Sequence, residues 1–177
     1  MAGTRSILLF GEGKTEWVFL THLCQLYRSP AVLTTVHQGR GGSPLTVVEA
    51  AIKARSLADY DKVLVLLDAD RDASDIPQEW PARYRLELHF SVPCIEGLLL
   101  EIVGDREVTK LRKGAKASDR CKSRFERQWL GNDRGTRIIP RLKAMLPAKL
   151  TRSVLDDARK RVAVLDRILN VISGETR

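Results

Sequence analysis

Residues 8–17 read LLFGEGKTEW, an apolar run that stops at two glycines, two acids, a lysine and a threonine. The triplet Gly13-Lys14-Thr15 is typical of the end of a P-loop, G-x-x-x-x-G-K-[ST], which has a second glycine five residues before the Gly-Lys pair. That position is Leu8, inside the apolar run, and Glu12 would stand against the phosphates. The stretch therefore predicts a buried strand that ends at an acid between two glycines, followed by a helix.

Two continuous apolar runs, Ile7–Phe10 and Val63–Leu67, are typical of strands that are buried on both faces of a parallel sheet. The β-branched run Val32–Val36 adds a third strand. The alternation of Leu86, Leu88 and Phe90 with polar residues predicts a half-buried strand nearer an edge.

Helical patterns lie between and after these strands. Residues 14–28 have apolar side chains at helical spacing, and Ser43-Pro44 is a helix start whose buried face would reach Ala58. After Pro93 the chain is mostly helical, with a last helix from about Ser153. Strands alternating with helices predict an α/β fold with a mainly parallel, Rossmann-like sheet flanked by helices.

The charge is unevenly distributed along the chain. Residues 1–100 carry 10 Lys and Arg against 12 Asp and Glu, whereas residues 101–177 carry 20 against 10. We expect an α/β core over residues 1–103 and a basic helical extension of the same domain over residues 104–177. The asymmetry favours a nucleic acid partner over a membrane, although a solvated basic face has the same composition. Within residues 106–143 the expected contacts to nucleic acid are Arg120, Lys122, Arg124 and Arg127.

Cysteine and histidine are sparse. The three cysteines are widely spaced with no C-x-x-C pair, and the three histidines do not cluster with them. A disulfide framework or a zinc site is therefore not expected, and the composition suits a reducing cytoplasm. No apolar stretch approaches the roughly 18–20 residues of a membrane span.

Acidic residues follow both of the buried strands. Glu12 comes after the first strand, and Asp68 and Asp70 come after Val63–Leu67. Functional groups gather beyond the carboxyl ends of strands in open α/β sheets, and residues i and i+2 at a strand end point the same way. We therefore expect Asp68 and Asp70 to converge on one ion. Oxygen ligands without histidine or cysteine favour Mg²⁺ or Mn²⁺ over zinc.

The residues around Glu12 suit the approach of a phosphate. Gly11 and Gly13 allow a sharp turn of the backbone, and the following helix presents free N–H groups at its N-terminus. Lys14 adds a mobile cation, and Arg40 lies in a second glycine-rich loop, residues 37–42. A tight turn and a solvated capping loop would explain the same motifs if each occurred alone.

The segment Gly11-Glu-Gly-Lys-Thr-Glu16, followed by Leu67-Asp-Ala-Asp-Arg-Asp72, resembles the Toprim domain, the α/β fold of primases, topoisomerases and OLD-type nucleases. The E-G-x-T-E form and the later Val92-Pro-Cys-Ile-Glu-Gly-Leu-Leu-Leu100 resemble more narrowly the small stand-alone RloB-like proteins. The resemblance covers about residues 5–103. It departs from the subgroup after Glu96, where Gly97 and Leu98 replace the usual aromatic residue.

The resemblance implies roles for the acids. Glu12 matches the general acid/base glutamate of the family, and Asp68 and Asp70 match its metal-binding aspartates. Asp72 is a further metal candidate, although it could equally be a loop acid.

The sequence allows two roles for each of two other acids. Glu16 would orient Lys14 or a metal-bound water, or would interact with the helix dipole. Glu96 would come near the site, or would be a buried acid paired with an arginine.

The implied function is a Mg²⁺- or Mn²⁺-dependent nuclease acting on DNA or RNA. The resemblance also implies a setting in prokaryotic genome defence, where a partner protein could take part. The alternative is a non-catalytic module that binds nucleic acid or a partner and holds a structural metal. A phosphatase of small phosphorylated molecules ranks third, because the basic half favours a polymeric substrate.

Overall fold

Four parallel strands form one sheet. They are β1 (Arg5–Gly11), β2 (Val32–Gln38), β3 (Lys62–Asp68) and β4 (Leu86–Ser91), and their order in the sheet is β2-β1-β3-β4. The computed structural model describes residues 4–131 and 138–175, and within them each neighbouring pair of strands is parallel. The apolar runs of the central strands β1 and β3 are fully buried. The predicted α/β fold with a parallel sheet is confirmed, as is the position of β4 at an edge.

Helices flank this sheet on both faces. In chain order they are α1 (Lys14–Leu26), α2 (Pro44–Arg55), α3 (Trp80–Arg83), α4 (Ile95–Ile102), α5 (Val108–Leu111), α6 (Ala117–Phe125), a π-helical turn (Glu126–Leu130), α7 (Ile138–Lys149), α8 (Arg152–Ala158) and α9 (Ala163–Ser173). Among the described residues, no helix combines the length and apolar character that crossing a membrane requires.

The alternation of side chains along β1 and β3 divides the core into two layers. Leu8, Phe10 and the odd-numbered residues of Val63–Leu67 pack against α2 on one face. The other face carries Ile7 and Leu9 of β1 with Leu64 and Leu66 of β3, and it packs against α1, α4 and the C-terminal helices. This second cluster contains residues from both the 1–103 and the 104–177 segments, so the basic extension shares a core with the sheet.

Three helix boundaries differ from the sequence prediction. Helix α1 ends at Leu26, and α2 ends at Arg55, which leaves Ala58 exposed. The predicted last helix is two helices, α8 and α9. The guanidinium of Arg159 bridges the break, because its Nε lies 2.8 Å from Asp166 Oδ1 on α9. Both helices pack their apolar faces on the same cluster, so the spacing of apolar residues in the sequence did not reveal the turn.

Two glycines are required where the backbone passes close to the end of β1. A Cβ on Gly11 would lie 2.8 Å from the Cβ of Glu16 and 2.9 Å from the backbone N of Trp17. A Cβ on Gly39 would lie 2.6 Å from the carbonyl oxygen of Glu12. Close packing of α1 and of the second glycine loop therefore accounts for these two glycines, whether or not a phosphate approaches.

We expect Gly11→Ala to destabilise the protein much more than Gly13→Ala. The new methyl group at position 11 meets backbone and a Cβ, and overpacking of this kind costs about 1–3 kcal/mol. At position 13 it meets only the Oε2 of Glu16, at the far end of a side chain, at 3.2 Å. Thermal unfolding of both variants beside the parent protein checks this. Equal melting temperatures for the two variants would contradict the close approach.

Candidate functional site

Glu12 is tied to β3 by both its backbone and its side chain. Its amide donates to the carbonyl of Leu66 at 3.2 Å, and its Oε2 accepts a hydrogen bond from the amide of Asp68 at 3.1 Å. The residue directly follows β1 and is only 8% exposed. The structure thus brings Glu12 and Asp68 together at the carboxyl edge of the sheet, as the strand ends predict.

Asp68 is the last residue of β3 and connects three elements. Its Oδ1 accepts from the hydroxyl of Ser91, at the end of β4, and from the amide of Ile95, at the start of α4, both at 2.8 Å. Burial raises the pKa of Asp68 to about 7, and the nearby carboxylates of Glu96 and Glu12 add to that rise, while the two hydrogen bonds oppose it. Sequence reasoning missed Ser91, because a serine at a strand end carries no distinctive signal.

Glu16 forms an acidic cluster with Glu12, Asp68 and Glu96, and it lies in the first turn of α1. Its Oε2 accepts from the amide of Gly13 at 3.0 Å, which satisfies a free N–H at the helix N-terminus. Burial raises the pKa of Glu16 to about 8, with a further contribution from Asp68 and smaller ones from Glu96 and Glu12. Glu16 is therefore mainly protonated at neutral pH when no cation is bound.

Glu96 lies in the first turn of α4 and faces the cluster. Its Oε2 is inaccessible to solvent and has no hydrogen-bond partner within the described residues. Burial raises its pKa, while the ammonium of Lys122 opposes that rise. The arginine partner that one interpretation of the sequence required is not found in residues 4–131 and 138–175, and a lysine of α6 is the nearby cation instead.

Asp70 is held from α6 rather than from the sheet. Its Oδ2 accepts from the hydroxyl of Ser118 at 2.5 Å and lies 3.4 Å from Nζ of Lys122. Because β3 ends at Asp68, Asp70 lies in a turn and the two-residue alternation of a strand does not apply to it. The prediction that strand alternation points Asp68 and Asp70 the same way is therefore wrong. The charge of Asp70 nevertheless adds to the raised pKa of Glu96.

Asp72 is exposed and bonds within its own loop. Its two carboxylate oxygens accept from the backbone amide and the hydroxyl of Ser74, at 2.9 and 2.8 Å. These contacts match the loop-acid alternative. The neighbouring Arg71 donates to the carbonyl of Gly42 and so joins this loop to the second glycine loop.

The second glycine loop is fixed against the turn that carries Glu12. The amide of Gly39 donates to the carbonyl of Gly11 at 2.7 Å, and the amide of Gly41 donates to that of Glu12 at 3.0 Å. Arg40 is exposed between these anchors, and Lys14 is exposed at the first position of α1. Two exposed cations therefore lie on the two backbone segments that flank the acid.

The four basic residues expected to contact nucleic acid have different positions. Arg120 donates to the carbonyls of Leu111 and Lys113, and Lys122 pairs with Asp70. Arg124 pairs with a mostly buried Asp105, with Nε 3.1 Å from Oδ2. Arg127 is exposed. Residues 132–137 of the basic segment lie outside the described residues.

The donor chemistry of the cluster fits a hard divalent cation. Glu12, Glu16, Asp68 and Glu96 offer only oxygens, and Oε2 of Glu96 is buried without a hydrogen-bond partner in the part of the chain that the structure describes. Within the described residues, no group of three or more His, Cys, Asp or Glu side chains is arranged so that it could by itself hold a metal ion. Mg²⁺ does not need such a set, because it usually keeps several waters and uses one or two carboxylates together with substrate phosphates.

Two cavities of the protein lie away from these acids. One of about 610 Å³ is lined by charged residues of α8, of α9 and of the turn between them, including Arg159 and Asp166. Another of about 360 Å³ lies where β1 and β3 begin, beside Arg5 and Lys62. Neither includes the acidic cluster, so the arrangement of carboxylates rather than cavity size identifies the site.

The fold and the acids define an α/β protein with an acidic site at the carboxyl edge of a parallel sheet. A family model described as RloB-like protein matches residues 7–162. The match covers most of the chain and extends into the helical part, so this protein belongs to the RloB-like family. Membership is compatible with a nuclease-related or defence-associated role. Searches of curated proteins and of solved structures found no significant match.

We expect Glu16→Gln to stabilise the metal-free protein at alkaline pH. The carboxyl group of Glu16 has a pKa of 4.5 when the chain is unfolded and about 8 when it is folded. Its contribution to the free energy of unfolding is therefore fully present below pH 4.5 and is lost progressively as the pH rises from 4.5 through 8. The amide keeps an acceptor for the Gly13 amide and does not ionise. The melting temperature in chelator at pH 8 should rise by several degrees, at about 2–4 °C per kcal/mol.

The matched control is Glu49→Gln, which removes an exposed carboxylate on α2. Its melting temperature should follow the parent between pH 5 and pH 8. The interpretation fails if Glu16→Gln gives a pH profile parallel to that of the parent protein.

Proposed function

We propose that this protein is a nuclease that uses Mg²⁺ or Mn²⁺ to hydrolyse phosphodiester bonds in DNA or RNA. The observation that carries the proposal is the Glu12 carboxylate bonded to the Asp68 amide, with Glu16 and Glu96 beside them. Several acids share this edge at a cost in electrostatic repulsion, which a bound divalent cation would relieve. Family membership is compatible with a setting in prokaryotic genome defence. We further propose that the protein acts in the cytoplasm together with a partner protein of such a system.

Asp68 and Asp70 would hold the cation. Each has one oxygen fixed by hydrogen bonds from neighbouring elements, namely β4 and α4 for Asp68 and α6 for Asp70. These bonds orient the other oxygen of each carboxylate. When bound, the ion would polarise the phosphate and offset the negative charge that develops on its oxygens.

Glu12 would move the proton. The Asp68 amide holds its Oε2, and Oε1 would accept a proton from the attacking water and return it to the leaving oxygen. Such general acid/base catalysis contributes about 10²–10⁴-fold in rate. Glu16 is a poorer candidate, because burial raises its pKa to about 8 in the metal-free protein and a protonated carboxyl group cannot accept a proton.

Cations on two sides of the acids would position the nucleic acid. Lys14 and Arg40 are exposed next to the turn that carries Glu12. Three exposed cations lie around one shallow surface depression, namely Lys116 just before α6, Arg120 on α6 and Arg127 in the π-helical turn that follows it. Contacts of this kind bind the backbone of nucleic acid without reading its sequence, and they weaken as salt increases.

A binding module without catalysis is the second candidate. It is favoured by the contacts of Asp68 and Asp70, because hydrogen bonds and Lys122 already satisfy part of their charge. Such a module would bind nucleic acid and would leave its phosphodiester bonds intact. Incubation with labelled single- and double-stranded DNA and RNA, in Mg²⁺, Mn²⁺ or chelator, distinguishes the two.

We expect Glu12→Gln to lower metal-dependent cleavage by about 10²–10⁴-fold while the protein stays folded. The amide is isosteric and keeps an oxygen for the Asp68 amide, but it cannot accept and return a proton. Lys14→Ala should weaken substrate binding more than turnover, because Lys14 is exposed and only approaches the phosphate. Cleavage rates and substrate affinities of both variants check these expectations.

The two variants also test the rejection of a P-loop. In a P-loop the lysine would be indispensable and the glutamate replaceable. Full activity of Glu12→Gln would overturn the catalytic role, and an inactive Lys14→Ala beside it would point to a phosphate-binding loop.

Arg127→Ala and Arg124→Ala should have different effects. Arg127 is exposed, so its loss should weaken binding to all nucleic acid sequences alike and reduce the salt dependence. Arg124 pairs with Asp105, so its loss should lower the melting temperature instead. Filter binding at several salt concentrations and thermal unfolding measure the two effects. Unchanged binding by Arg127→Ala would leave the surface around the π-helical turn a solvated face.

A further inference from the structure

Helix α6 places two polar side chains on one oxygen of Asp70, whose charge acts on Glu96 of the acidic cluster. Ser118 and Lys122 are four residues apart and therefore lie on the same face of the helix. The hydroxyl of Ser118 is 2.5 Å from Oδ2 of Asp70, and Nζ of Lys122 is 3.4 Å from the same atom. A hydroxyl donor and an ammonium thus converge on one candidate metal ligand.

The neighbouring cations of α6 do not share this role. Arg120 bonds backbone carbonyls of the preceding segment, and Arg124 bonds Asp105. Lys122 is the cation of α6 that interacts electrostatically with all three of Asp70, Glu96 and Asp68. Its side chain is also 42% exposed, against 22% for that of Asp70, so the ammonium can leave without unpacking the core.

We propose that Lys122 is an internal counter-ion of the acidic cluster, paired with Asp70 while no divalent cation is bound and released when a cation takes Asp70. This inference rests on the proposed function, because it requires that the site accepts a divalent cation. It assigns Lys122 to the site itself rather than to a general basic surface.

Electrostatics gives the reason for the exchange. A divalent ion bound to Asp70 would lie within a few ångströms of an ammonium at its present position, and two cations at that distance repel each other strongly in a partly buried site. Ser118 has no charge, so its hydrogen bond can persist and keep the Asp70 carboxylate oriented. The released ammonium is then available to a phosphate of the substrate.

The first test follows Lys122 in the unaltered protein. An amine-reactive reagent labels lysines through their deprotonated amines, so a lysine paired with a carboxylate reacts slowly. We expect Mg²⁺ to increase the labelling of Lys122 several-fold, as measured by peptide mass spectrometry. Labelling of Lys110 should not change, because it is exposed and its ion pair among the described residues is with the nearby Glu107, away from the acids.

The second test measures affinity for Mg²⁺ alone by calorimetry. Lys122→Met should bind Mg²⁺ about two- to fivefold more tightly than the parent, as expected for the loss of a partly exposed competing ion pair. Lys110→Met is the matched control and should bind like the parent. Lys122→Arg keeps the charge and should not tighten binding, which separates the effect from a change in packing.

The outcomes separate this inference from the proposed function. If the parent binds Mg²⁺ but the labelling of Lys122 stays constant, the counter-ion role is overturned and the nuclease proposal stands. If neither the parent nor Lys122→Met binds Mg²⁺, both are overturned. Metal binding with release of Lys122 but without any cleavage supports the counter-ion role and refutes only the nuclease.

Discussion

The hydrogen bond from the Asp68 amide to the Glu12 carboxylate joins the ends of the two central strands, and the acidic site is arranged around it. Parallel pairing of β1 and β3 sets the two strand ends side by side, and each apolar run ends in an acid. Helix α1 then adds Glu16 and helix α4 adds Glu96. The sheet therefore determines which carboxylates meet, and the helices determine how many.

Crowding of carboxylates has a cost that the protein offsets locally. Burial raises the pKa of both Glu16 and Asp68, so part of the charge is removed by protons at neutral pH. Hydrogen bonds from the Ser91 hydroxyl and the Ile95 amide stabilise the negative charge that remains on Asp68. Functional sites commonly retain such destabilising arrangements, because rearranging them for stability would remove the activity.

The sequence predicts the parts of this site that depend on local patterns. Continuous apolar runs identify β1 and β3, and the acids at their ends identify the edge of the sheet. Contacts between distant segments carry no such pattern. Ser118 and Lys122 reach Asp70 from about 50 residues away in the sequence, and a serine or lysine in a basic helix has no feature that reveals its partner. The close approach at Gly39 is hidden for the same reason.

The helical part had been expected to act as a basic surface for nucleic acid, and that role stays a prediction. The structure gives the helical part a second relation to the sheet, because α6 holds Asp70 and the C-terminal helices complete one of the two apolar layers. Positive charge in the sequence of this segment is thus partly committed to contacts within the protein. Counting charges overestimates what is available to a partner.

The position of α6 in the chain has a consequence for synthesis. A ribosome releases β1, β3 and all of the clustered acids well before it releases Ser118 and Lys122, so the nascent chain carries these carboxylates without the groups that hold Asp70. A premature stop near residue 103 would leave the polypeptide in that condition permanently, with the α4 surface that packs against α6 uncovered. Completion of the acidic edge is therefore coupled to translation of the last third of the message.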